Sequence, residues 1–184
     1  MADELLDIVD DNDQVIGQAL RSEAHKNKLL HREVNVWFVT PQKEIIFQKR
    51  SLLKENYPGL LTVTAGGHVS SGEDYQAAII KEIFEETGFK VYASDLIFLG
   101  FKKFQSFDEI TNSYNNSIRA FYGYIYNGEI EALKVEQDAG SGFEKMPLRN
   151  ILNLPEVDRK RITPSLLDGD KYADIYETLE KLVS

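Results

Sequence analysis

The stretch GHVSSGEDYQAAIIKEIFEETGF (Gly67–Phe89) places Glu82, Glu85 and Glu86 within five residues of one another, on what reads as a helix. Advancing about 100° per residue from Tyr75 puts Ile79, Ile80, Ile83 and Thr87 on one side, and Ala78, Glu82, Glu85 and Glu86 on the other. The isoleucine side is a core face. Ser71 and Asp74 have capping-box spacing and predict a helix start near Glu73. Gly88 predicts the stop, as a left-handed C-terminal residue, with Phe89 folding back onto the last turn. A charge run is ordinarily a solvated face. Here like charges at i,i+3 and i,i+4 oppose the helix by roughly 0.2–0.5 kcal/mol per pair, and only Lys81 lies nearby to offset them. The Gly66-Gly67 pair just before the helix lets backbone approach a ligand closely. Clustered carboxylates with a backbone carbonyl suit hard cations such as Mg²⁺ or Mn²⁺, and one carboxylate can take a proton from water.

On either side of this helix the chain reads mostly as strand. LLDIVD and QVIGQALR, split by the turn-prone DDND, predict a hairpin over about 4–21. EVNVWFVT (Glu33–Thr40) alternates as a strand, and EIIFQKR follows as its partner after Pro41-Gln42. LLTVT is a short strand. DLIFLGFKKFQSF and NSIRAFYGYIYN are two long strands, while SFDEITNSYNN and EQDAGSGFEK read as polar loops. Tyr172, Ile175, Tyr176, Leu179 and Leu182 form the stripe of a C-terminal helix, about 164–183. Trp37 is expected to pack within the sheet rather than to stack on a base. The mixed order predicts helices packed on a mixed sheet, an α/β (α+β) arrangement.

The chain has 184 residues, 42% of them hydrophobic and 28% charged, which fits one domain spanning 1–184. It has no cysteine, which excludes disulfides, thiolate metal sites and thiol nucleophiles. The acidic N-terminal MADELLDIVDDND lacks the regions of a secretory leader, so a cytoplasmic protein is the expectation. No apolar run approaches a membrane span. A net charge of −9 argues against a nucleic-acid polymer as partner, while a small phosphate ester bridged by a divalent cation stays open.

Gly67, five residues, Glu73, seven residues, then Lys81-Glu82-Ile83-Phe84-Glu85-Glu86-Thr87-Gly88-Phe89 resembles the signature box of the Nudix hydrolases. That pattern is G-x5-E-x7-R-E-U-x-E-E-x-G-U, with U a bulky aliphatic residue. The departures are Lys81 for the arginine and the aromatic Phe89 at the end. The resemblance implies an α/β/α sandwich around a mixed β-sheet and Mg²⁺-dependent (or Mn²⁺-dependent) hydrolysis of a nucleoside diphosphate linked to another moiety. It implies that Glu82, Glu85 and Glu86 hold metal with the Gly67 carbonyl, and that Glu82 or a loop carboxylate, Glu136 or Asp138, serves as base. Glu73 belongs by its box position to the metal or water network. The family arginine orients a catalytic glutamate; Lys81 keeps the charge but lacks the bidentate fork. Substrate contacts are expected in 101–116 and 136–144. The partner is a small molecule, and a homodimer is compatible with these features.

A looser resemblance covers VDDNDQVIGQALRSEAHKNKLLHREVNVWFVTPQKEIIFQKR, which is similar to the front half of isopentenyl-diphosphate isomerase. His25, His31 and His68 fall where that isomerase places metal-binding histidines. Gly66 stands where it has a catalytic cysteine, and Asn115-Asn116-Ser117 where it has a Glu-x-Glu pair. The reading is therefore a Nudix hydrolase sharing the isomerase's N-terminal region. The alternatives are an isomerase-like enzyme, or a non-catalytic nucleotide-binding module silenced at Lys81. His25 and His31 read as hydrogen-bonded structural histidines rather than a second metal site. His68, beside the glycine pair, is a candidate phosphate contact. Arg50, ending a strand with Lys49, is another.

Overall fold

A computed structural model gives the architecture and describes residues 3–109, 113–136 and 140–184. β1 (Leu5–Val9) and β2 (Val15–Leu20) form an antiparallel hairpin, followed by the short helix α1 (Arg21–Lys26). β3 (His31–Val39) is the central strand. One edge of β3 pairs in parallel with β8 (Ser113–Ile125), from His31 opposite Ser117 to Val39 opposite Ile125. Three strands share its other edge. β1 meets it at His31, β6 (Ala65–His68) pairs antiparallel over Glu33–Val36, and β4 (Glu44–Arg50) pairs only at Phe38 and Val39. β4 then diverges to β5 (Leu61–Thr62) and β9 (Gly140–Pro147). β7 (Ile97–Asp108) closes the far side against β8.

The alternation along β3 explains the layers. Val34, Val36 and Phe38 point to one face, where they pack with Ala78, Ile79 and Ile83 of α2 (Tyr75–Thr87). Trp37 and Val39 point to the other, against Tyr172, Ile175, Tyr176 and Leu179 of α4 (Gly169–Leu182). Trp37 is fully buried, stacked on Phe121 with ring centroids 5.7 Å apart. Burying a side chain of this kind contributes about 1.5–3 kcal/mol or more. A single turn, α3 (Glu156–Arg159), precedes α4. Helices thus cover both faces of a mixed sheet, the expected α/β/α sandwich. Among the described residues no helix is long and apolar enough to cross a membrane.

Several local expectations need correction. The SFDEITNSYNN segment is largely the end of β7 and the start of β8, and GSGFEK belongs to β9. Strand TAGGH was not anticipated, nor was α1. The internal helix starts at Tyr75, not near Glu73. Its cap is Asp74, whose side chain accepts from the Ala77 N–H at 2.7 Å. Ser71 instead donates to Asp7 at 2.6 Å, because Asp7 of the hairpin also takes the Gly72 N–H at 3.0 Å. The C-terminal helix starts at Gly169, after a 3₁₀ turn over Pro164–Leu167.

Candidate functional site

The acidic face of α2 lies along β6. Gly88, at φ 65°, ends the helix in the left-handed conformation that glycine tolerates. Ala78, placed by spacing with the acids, is instead buried with Ile79, Ile83 and Thr87. Its small side chain sits at the seam and lets helix and strand approach. Glu82 and Glu86, one turn apart, are therefore half-buried at the edge of that seam, while Glu85 and Lys81 are exposed. The Gly66 N–H donates to Glu86 Oε2 at 3.1 Å. A Cβ on Gly67 would lie 2.4 Å from Glu82 Oε1, so any side chain there would displace that carboxylate.

Burial, then the charge of Glu85, pushes the Glu82 carboxyl up to about 7. Burial, then the charge of Glu82, pushes Glu86 up to about 8. Among the described residues neither forms a contact ion pair; Lys81 and Lys54 act on them only through space. Glu136 raises both from a distance, which places that loop carboxylate near the cluster; Asp138 lies outside the described residues. Glu4 acts on Glu82 in the same way, and nothing in its sequence context marked it. Arg50 is half-buried within electrostatic reach of Glu86 and donates from Nε to the Asn56 carbonyl at 3.1 Å. Among the described residues, one buried carboxylate oxygen of Glu73 has no hydrogen-bond partner.

His68 does not join this cluster. It follows Gly67 in β6, so its side chain turns to the opposite face. There its Nε2 lies 3.0 Å from His25 Nε2 and 3.7 Å from Glu33 Oε1. His31 completes a triangle of rings with centroids 5.0–5.2 Å apart. Burial lowers the His31 and His68 pKa values, His68 to about 3. Beneath them Glu33 accepts from Ser117 Oγ at 2.6 Å and Arg119 Nε at 3.0 Å. Burial alone would raise its carboxyl, but Arg119 first, then His68 and Ser117, holds it well below the usual carboxylate range.

The chain was compared with known proteins. A model of the NUDIX domain matches residues 29–165. An uncharacterized Nudix hydrolase of Streptomyces coelicolor is 42% identical over 87 residues, 47% of this chain and 48% of that protein. The alignment thus spans about half the length of that relative. Isopentenyl-diphosphate Delta-isomerase 2 of Photorhabdus laumondii is 30% identical over 155 residues, 84% of this chain and 74% of that one. The crystal structure of DR0079 from Deinococcus radiodurans superposes with a TM-score of 0.63 at 27% identity, over 81% of this chain and 86% of that one. With the box residues ordered along α2 and β6 and a matching domain model over most of its length, the chain belongs to the Nudix hydrolase family.

Proposed function

We propose that the protein is a divalent-cation-dependent hydrolase that cleaves a pyrophosphate bond in a nucleoside diphosphate linked to another moiety. The observation that carries this reading is the pair Glu82 and Glu86. Two half-buried carboxylates one turn apart, pushed up to about 7 and 8 with no cationic side chain in contact, are costly to a fold with no use for them. The donor set fits a hard cation: carboxylate oxygens of Glu82, Glu85 and Glu86, with the Gly67 carbonyl. Mg²⁺ or Mn²⁺ bound there would supply charge to phosphate oxygens and acidify water.

The chain's own groups supply the rest. Glu82 or the loop carboxylate Glu136 is the candidate to take the proton from the attacking water. Arg50, tethered to Asn56 close to Glu86, is placed to hold a phosphate oxygen. Glu136 brings a further carboxylate from a late loop. The test is a panel of ADP-ribose, dinucleoside polyphosphates, NADH, CoA, nucleotide sugars and nucleoside triphosphates, assayed for phosphorus products with Mg²⁺ and with EDTA. Metal-dependent turnover of at least one compound supports the reading, and turnover unaffected by EDTA contradicts it.

The isomerase reading draws on the overlap with the Photorhabdus protein. Protonating an unactivated alkene needs a positioned acid. Gly66 and Asn115-Asn116-Ser117 leave no acid where the isomerase resemblance implies one. Product analysis after incubation with isopentenyl diphosphate separates the two activities.

A further inference from the structure

We propose that the outer end of the β7–β8 ribbon is an accessory site for a nucleoside monophosphate with an adenine-type base, bound without metal and apart from the α2 carboxylates. Its working parts are the ring of Phe107, the amides of Gln105 and Asn116, and the ammonium of Lys28.

Strand alternation puts these groups on one face. Across the β7–β8 ladder Gln105 pairs with Asn116, and Phe107 with Tyr114. The β8 residues that alternate with them turn to the other face, where Asn115 and Ser117 donate to Glu33. Lys28, just past the end of α1, closes the remaining side of a cavity of about 330 Å³ whose lining includes Gln105, Phe107, Tyr114 and Asn116. A concave, mainly apolar site of this size with a few convergent polar groups suits a small ligand. β3 stands between this ribbon and the glycine strand β6 that borders the carboxylates.

The backbone delivers Lys28 to this cavity at a conformational cost. Its φ is 58°, in the left-handed region that favours glycine after a helix. The Leu29 N–H closes the turn onto the Ala24 carbonyl at 2.9 Å, and Asn116 Nδ2 donates to the Lys28 carbonyl at 2.9 Å. The ammonium then lies 3.6 Å from the centre of the Tyr114 ring. Among the described residues no carboxylate pairs with it, in a chain whose net charge is −9. A cation resting on a ring rather than on an acid is free to take an anion. One ammonium matches one phosphate group, and nothing here neutralises a longer phosphate chain.

The base has its own partners. Gln105 Nε2 donates to Asn116 Oδ1 at 3.2 Å, which orients the amide and leaves its oxygen and second N–H open. A side-chain amide presenting one acceptor and one donor complements the edge of adenine. The Phe107 ring, its centroid 4.6 Å from that of Tyr114, is 45% exposed, an apolar surface on which a base stacks.

The experiment is equilibrium dialysis of the whole chain against labelled AMP in EDTA, which keeps cations off α2. Saturable binding of one AMP per chain is expected. Adenosine, which lacks the phosphate, and ribose 5-phosphate, which lacks the base, should each bind at least about tenfold more weakly. Phe107→Ala should weaken AMP binding at least about fivefold and Lys28→Ala about tenfold. Glu82→Gln/Glu86→Gln should bind AMP as the wild type does. Phe107 and Lys28 are exposed, and thermal melts show that each variant keeps its fold. No saturable AMP binding at millimolar concentration overturns the proposal. So does unaltered binding in both folded variants, or ribose 5-phosphate binding as tightly as AMP, which would leave only an anion contact. Loss of binding in the carboxylate variant also overturns it, because the nucleotide would then sit on α2.

Discussion

Replacing Glu82 and Glu86 by glutamine should make the metal-free protein more stable, although it removes two groups proposed to be essential. Their carboxyl pKa values rise from 4.5 to about 7 and about 8 on folding. The folded state therefore binds more protons than the unfolded chain between those values. Their contribution to stability is fully present below about pH 4.5 and is lost as pH rises through about 7 to 8. Taken singly, the two rises are worth roughly 3 and 5 kcal/mol once both states are ionised. Part of each rise is the other's charge and water reaches the half-buried cluster, so roughly 3 kcal/mol for the pair is the working figure. For a chain of this size that corresponds to about 6–12 °C in Tm. His31 and His68, whose values fall on folding, act with the opposite sign. Their contribution is lost only as pH falls from about 6.5, so the slope above about pH 7 belongs to the carboxylates. Most of the carboxylate loss falls between about pH 4.5 and 7 and the remainder between about 7 and 8, so thermal melts of the wild type and the double variant in EDTA at matched ionic strength, from about pH 5 to pH 9, read it as the difference between the two profiles. The wild type should lose stability as pH rises, while Glu82→Gln/Glu86→Gln should lack that loss and melt higher from about pH 7 upward. Parallel profiles for the two proteins would mean that the pair is ordinarily solvated.

Three further substitutions probe the site. Glu85→Gln should lower kcat at least about 100-fold with an unchanged melt, since it removes one donor of the proposed metal set; steady-state turnover and a thermal scan check both halves. Lys81→Arg should preserve or raise activity by offering a bidentate hold on a box glutamate, and a loss above about tenfold would show that its orienting role is wrong. Gly67→Ala would drive a methyl to 2.4 Å from Glu82 Oε1. It should displace that carboxylate with little loss of stability, so urea unfolding should be nearly unchanged while turnover needs more Mg²⁺.

What could be read from the sequence follows from what side chains encode. The box glutamates were legible because helical spacing fixes their face before any tertiary contact exists. Ala78 was misplaced because spacing gives an angle but not which small residue the seam closes over. β6 and β9 escaped notice because Gly66, Gly67, Gly140 and Gly142 carry no side chain whose alternation marks a strand. Their pairing with β3 and β4 creates them. Ser71 has the right spacing for a cap but is claimed by Asp7, sixty-four positions away, a competition no local pattern shows. The histidines are the plainest case. Singly, His25 and His31 read as structural residues and His68 as a phosphate contact. Only the register of β6 on β3 and the packing of α1 turn three such residues into one cluster. The expected phosphate contact at His68 was judged from its neighbours in sequence, whereas strand alternation sends its ring to the other face.

In the proposed reaction water attacks a phosphorus atom under the control of the α2 carboxylates. It is tested most directly by turnover in water labelled with heavy oxygen, with mass analysis of the phosphate-bearing products. In Mg²⁺, one label should enter a single phosphoryl product per bond broken, and EDTA or Glu85→Gln should abolish it. Label-free conversion of isopentenyl diphosphate, or full incorporation in Glu85→Gln, would contradict it.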